Sequence, residues 1–155
     1  HAAMREHHFI DDGMYLATWL IIEALYRKRE GLTLSSLIDE LQEPVESCEI
    51  RMRVQGEDLR ESAAEVIQVI LSHTLENPQW HLAPDNREGA RIAFDMEGGV
   101  DNAWFMLRLS VHDPVMALNA QSDVPGGVKT MLSELYELLK HTEEIDIAPL
   151  KKAIE

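Results

Sequence analysis

Ala103-Trp104-Phe105-Met106-Leu107-Arg108-Leu109-Ser110-Val111-His112-Asp113-Pro114-Val115-Met116-Ala117-Leu118-Asn119-Ala120-Gln121-Ser122 is the stretch that decides the fold. Residues 103–110 and 115–122 read as two strands. Val111-His112-Asp113-Pro114 between them reads as a loop, because proline has no N–H to give to a ladder. Upstream, Ala90, Ile92, Phe94 and Met96 alternate with Arg91, Ala93 and Asp95, the period of a strand with one buried face. Gly98-Gly99 then turns the chain. Further back, Ile50, Met52 and Val54 alternate with Glu49, Arg51 and Arg53 in the same way. Between these strands, residues 58–75 carry Leu59, Ala63, Val66, Ile67, Ile70 and Leu71 on one helical stripe, and Asn77-Pro78 ends it. Val128, Met131, Leu132, Leu135, Leu138 and Leu139 mark a last amphipathic helix to about His141. The order from residue 48 is strand, helix, strand, strand, strand, helix. It predicts an α+β domain, an antiparallel sheet of three or four strands with two helices on one face.

The front of the chain reads differently. Residues 13–29 predict a helix with a broad apolar face of Leu16, Trp19, Leu20, Ile22, Leu25 and Tyr26. Asp11-Asp12 supply negative charge at its start, Arg27-Lys28-Arg29 positive charge at its end, and Gly31 a stop. Thr33 to Leu41 predicts a short helix, and residues 42–47 around Pro44 form a polar linker. Two helices with such apolar faces make no core of their own, so residues 1–41 are expected to be the end of another domain, packed on something outside this sequence or on a neighbouring molecule. Residues 48–141 form the α+β domain, and 142–155 a tail with a weak helical pattern after Pro149.

The 155 residues contain 14 Lys+Arg against 28 Asp+Glu, a net charge of −14. That charge argues against a nucleic-acid surface, which needs clustered Lys and Arg, but leaves room for one small phosphate. A single cysteine, Cys48, excludes an internal disulfide framework and a cysteine-built zinc site, and points to a reducing, cytoplasmic compartment. No run reaches the ~18 apolar residues of a spanning helix. The N-terminus lacks the basic and apolar regions of a secretory signal, so no membrane partner is expected.

Candidate chemistry is sparse. His7-His8-Phe9-Ile10-Asp11-Asp12 holds metal-ligating residue types, but adjacent residues rarely aim at one ion, and a polar loop capping the following helix is the simpler reading. His73, His81, His112 and His141 are scattered, and no Ser/His/Asp order suggests an activated nucleophile. Cys48, beside a strand start, reads as a small buried residue, and Trp19, Trp80 and Trp104 as packing residues. The turn Arg108-Leu109-Ser110-Val111-His112-Asp113-Pro114 offers more. A guanidinium binds phosphate bidentately, a serine hydroxyl adds one hydrogen bond, turn amides supply others, and His112 is a further donor. An ordinary salt-bridged hairpin fits the same residues.

In its surroundings, this turn resembles the C-terminal phosphate-binding loop of the phosphomannomutase/phosphoglucomutase (α-D-phosphohexomutase) family, Arg-x-Ser-Asn-Thr-Glu-Pro between two strands. Ser47-Cys48-Glu49-Ile50 is similar to the Ser-Gly-Glu-Ile-Asn that opens the family's last domain. Ala2-Ala3-Met4-Arg5-Glu6-His7-His8-Phe9, followed by Asp11-Asp12-Gly13, is similar to its sugar-binding stretch Gly-Glu-Met-Ser-Gly/Ala-His-His-Phe. The three landmarks stand in the family's order over residues 2–120.

The resemblance implies that residues 1–41 are the end of the third of four domains, 42–47 the hinge, and 48–141 the fourth, with a TATA-binding-protein-like α+β fold. It implies an enzyme that interconverts hexose 1- and 6-phosphates, of mannose or glucose, through a phosphoserine and a bound Mg²⁺. The loops for both lie outside this sequence, so no catalytic or metal-ligating residue is expected here. Arg108, Ser110 and His112 would grip the non-transferring phosphate, and Met4, Arg5 and His7 would lie against the sugar. The missing N-terminal domains would be partners of this chain. Departures from the pattern are specific. Val111 stands for Asn, His112 for Thr and Asp113 for Glu at the turn; Ala3 stands for Glu and Arg5 for Ser upstream. Each lost charge-assisted hydrogen bond costs about 1.5–3 kcal/mol. These changes leave a diverged, inactive homologue as the alternative, its last domain serving packing or partner binding. A free-standing interaction module is a third reading.

Overall fold

The computed structural model describes residues 5–8, 10–84, 86 and 89–155. The chain divides into two compact units, His1–Gln42 and Glu43–Glu155.

In the first unit, a 3-10 turn at Arg5–His7 leads to helix α1, Gly13–Arg29. Asp12 caps it, with Oδ1 accepting from the backbone N–H groups of Met14 (3.0 Å) and Tyr15 (3.1 Å). Gly31, at φ 77°, closes the helix in a Schellman arrangement: Leu32 N–H donates to Arg27 O (2.8 Å) and Gly31 N–H to Lys28 O (3.2 Å). The short helix expected over 33–41 is only a 3-10 turn at Leu34–Leu37. Thr33 Oγ1 is spent on Ser35 Oγ (2.7 Å) and Ser36 Oγ donates to Thr33 O (2.7 Å), local bonds that compete with helix continuation. None of the described residues of this unit is buried.

The second unit is an antiparallel sheet covered by helices on one face. Its elements are β1 (Glu46–Arg53), α2 (Leu59–Glu76), β2 (His81–Leu82), β3 (Ala90–Phe94), β4 (Ala103–Leu109), β5 (Val115–Ser122), α3 (Gly127–Leu139) and α4 (Ala148–Ile154). The sheet order is β1-β5-β4-β3-β2, with every neighbouring pair antiparallel. The expected three or four strands are therefore five. The extra one, β2, is a two-residue edge strand paired to β3 through His81↔Ala93 and Leu82↔Ile92, too short to show alternation. The helices number three rather than two.

Alternation sorts the sheet into two faces. Ile50, Met52, Ile92, Phe94, Phe105, Leu107, Met116 and Leu118 point into the core, where they meet Val66 and Ile70 of α2 and Met131, Leu132, Leu135 and Leu139 of α3. Trp80, buried, packs on Phe94 and Phe105 (both 5.4 Å between centroids), and its Nε1–H donates to Glu134 Oε2 (2.8 Å).

Two features differ from the sequence reading at the ends of this unit. β1 starts at Glu46, inside the expected 42–47 linker, because Glu46 has a structural task. Its two carboxylate oxygens accept from the N–H groups of Gly126 (2.6 Å) and Val128 (3.0 Å), capping α3, whose own N-cap glycine has no side chain to do so. The 142–155 segment is not a loose tail. Ile145 bridges to Val54, Asp146 N–H donates to Arg53 O (2.8 Å), and Ile145 and Leu150 are buried in the core. Among the described residues no helix is long and apolar enough to cross a membrane.

Candidate functional site

The open face of the sheet carries Ser47, Glu49, Arg51 and Arg53 of β1, Ala117, Asn119 and Gln121 of β5, Trp104, Met106 and Arg108 of β4, and Arg91 of β3. Four arginines thus share one face of a strongly acidic chain. Arg108 lies directly opposite Ala117, and Ala117 directly opposite Arg51. Ala117 is buried between these two guanidinium-bearing neighbours. At Gly89 (φ 129°) a Cβ would stand 3.0 Å from both Cα and Cβ of Arg108 and 2.2 Å from Leu107 O, so the chain passes close to Arg108 only because this residue is glycine. Arg91 is occupied differently, its guanidinium 4.7 Å from the Trp104 ring centroid.

Arg108 is half-buried, and among the described residues it forms no ion pair or side-chain hydrogen bond. In the following turn, Ser110 N–H donates to Val115 O (2.8 Å), and Ser110 Oγ accepts from Asp113 N–H (3.3 Å). The hydroxyl is thereby an acceptor toward the turn and keeps its own proton to donate. Val115 N–H is used on Asp113 O (2.8 Å). The N–H groups of Val111 and His112 have no protein acceptor among the described residues. His112 is exposed, as is Val111. The donor set of this end of the sheet is therefore one guanidinium, one hydroxyl, two amides and an imidazole. Arg51 is tied to Glu49 (2.8 Å) and lies 4.0 Å from Asp113. Glu49, then Asp113, holds its guanidinium even more firmly protonated than usual.

Of the upstream candidates, Met4 lies outside the described residues. Arg5 is exposed, and His7 is half-buried. His7 Nε2 is 3.1 Å from Asp12 Oδ2, and its ring stacks on Tyr15 at 4.2 Å. The Tyr15 N–H above all, with the Met14 N–H and His7, holds the Asp12 carboxyl below the usual carboxylate range. This is the capping arrangement, built from the same residues that a metal site would have needed. Cys48 faces the core opposite Ala120, and burial pushes its thiol up, away from nucleophile chemistry.

One cluster escaped the sequence reading. His81 on β2, Asp95 after β3 and Asp101 before β4 bring one ligand atom each within 4.8 Å of one another. Nothing in the spacing of 14 and 6 residues announces it; the pairing of β2, itself unpredicted, creates it.

The architecture defines the second unit as an α+β domain with an antiparallel sheet helix-covered on one face. No protein-family model matches the chain, and no curated protein matches its sequence. The chain is similar in structure to a phosphoglucomutase/phosphomannomutase family protein from Burkholderia thailandensis, with a TM-score of 0.54 and 15% identity. The match covers 87% of this chain and 25% of that one, so the chain spans about a quarter of the protein whose fold it shares.

Proposed function

We propose that this chain is the C-terminal part of a phosphohexomutase, and that Arg108, Ser110 and His112 grip the non-transferring phosphate of a mannose or glucose phosphate. The observation that carries this reading is Arg108 itself: a guanidinium with no ion-pair partner among the described residues, at a strand end, beside a turn with two amides uncommitted among those residues and a free hydroxyl proton. The shared fold supports it. The clamp's role is orientation and charge compensation rather than bond making. The phosphoserine and Mg²⁺ belong to segments outside this chain, and this chain alone is inactive. Such an enzyme works in the cytoplasm. Residues 1–41 are then the end of the third domain, and the apolar surface of α1 is covered by domains that precede it.

Titration with inorganic phosphate and with glucose 1-phosphate, followed by amide chemical shifts, tests the clamp. Saturable shifts at Ser110–Asp113, weak in affinity and lost in Arg108→Gln, are expected; a spectrum unmoved there by millimolar ligand overturns it. Val111, where the family pattern has a donor, is 84% exposed and offers only its amide. That favours the second reading, a diverged homologue without activity, and the same unmoved spectrum is its expected outcome.

A further inference from the structure

The His81–Asp95–Asp101 cluster lies apart from the 108–114 turn and is not explained by it. His81 Nδ1 is 3.0 Å from Asp101 Oδ1 and 3.6 Å from Asp95 Oδ1. Both carboxylates thus address the same ring nitrogen, which carries at most one proton and cannot donate well to both. A cation at that point serves all three. With metal–N and metal–O bonds of about 2.0–2.2 Å, neighbouring ligand atoms of a tetrahedral sphere stand about 3.3–3.6 Å apart. The observed separations need only small side-chain adjustments to reach that spacing.

A second observation points to a ligand. His81 and Asp101 line a cavity of about 150 Å³, with Pro84, Arg91 and Trp104 also on its walls. That is ample for the water or small anion that completes a three-ligand metal site, a water occupying about 30 Å³. The Arg91 guanidinium, placed over Trp104, gives the cavity a positive wall suited to an anionic fourth ligand. Exposed ion pairs contribute little to stability; both carboxylates come from the one loop between β3 and β4, where Asp95 Oδ1 also accepts from Asp101 N–H (2.9 Å).

We infer that His81, Asp95 and Asp101 form a binding site for a divalent transition-metal ion of the zinc type, with an open coordination position at the cavity. The imidazole ligand distinguishes it from a Mg²⁺ site, which is built from oxygen. The metal must displace a proton. The groups facing His81 are Asp101, Asp95 and, across the cavity, Arg91, and Asp101 first, then Asp95, raises the His81 pKa above its usual 6.5.

The test is calorimetric titration with Zn²⁺, and Co²⁺ titration followed by visible absorption. It uses the full chain with His1, His7 and His8 changed to alanine, so that N-terminal imidazoles do not contribute. One-to-one binding in the micromolar range is expected. His81→Ala and Asp101→Asn each weaken it by more than about tenfold, while His141→Ala and Arg108→Gln leave it unchanged. Circular dichroism verifies that each variant is folded; should His81→Ala not fold, Asp101→Asn decides. Absence of one-to-one binding, or binding that survives both ligand substitutions as adventitious ion only, overturns the site. The Arg108→Gln control separates this result from that of the phosphate clamp.

Discussion

Helices α1 and α3 are both rich in large apolar residues, and the structure treats them in opposite ways. α3 has one apolar stripe: Met131, Leu132, Leu135 and Leu139 are buried, and Lys129, Thr130 and Glu137 lie outside it. α1 is apolar nearly all round, with Leu16, Trp19, Leu20, Ile21, Ile22, Leu25 and Tyr26 spread over its circumference, and none of its residues is buried. Ile21 is 63% and Leu25 60% exposed. A one-sided helix finishes its folding against a single sheet. A helix apolar on all sides belongs to the interior of something larger. The difference teaches that hydrophobic content marks what a helix needs, and its angular distribution marks how many partners it needs.

The comparison is broken most severely by attacking the core that α3 helps to form. Phe105 is fully buried, against Trp80 at 5.4 Å and Phe94 at 5.8 Å. Phe105→Ala is expected to cost about 3–5 kcal/mol by urea denaturation. A cost under about 1 kcal/mol means the core is not packed as described. The next effect concerns how α3 is held. Glu46 carries out from β1 the capping that Gly126 cannot, so Glu46→Ala removes two acceptors and a negative charge from the positive end of a 13-residue helix. The expected loss is about 1–2 kcal/mol, read as a lower denaturation midpoint with an unchanged slope. A neutral substitution would show that water caps the helix equally well.

Legibility in the sequence followed the range of the interactions. The β4–β5 hairpin was readable because its signals are local: two strand-like runs and a proline that cannot join a ladder. α2 and α3 were readable from their stripes. β2 was not, since two residues carry no period, and with it went the His81 cluster, whose members meet only through sheet pairing. The last segment hid its role because Ile145 and Leu150 stand in a short run broken by Asp146 and Pro149, and only the edge of β1 shows what they pack on. Glu46 looked like linker because a long-range cap has no pattern of its own. At the turn, residue types were legible and commitments were not: no sequence feature says that Asp113 N–H is used on Ser110 while those of Val111 and His112 are uncommitted.

The smallest expected effect is the most discriminating for α1. Leu25 is largely exposed, so Leu25→Ala removes little area that folding has taken from water and exchanges one good helix former for another. Its stability in this chain is expected to stay within about 0.5 kcal/mol of the parent, the range of surface substitutions. A loss above about 1 kcal/mol would mean that the residue is covered in solution and that α1 already has its partner. The same substitution made in a longer protein carrying the domains proposed to precede residue 1 is expected to behave as a core truncation, costing about 2–5 kcal/mol. The contrast between the two measurements isolates the burial that α1 lacks here, because the substituted atoms and the helix propensities are identical in both.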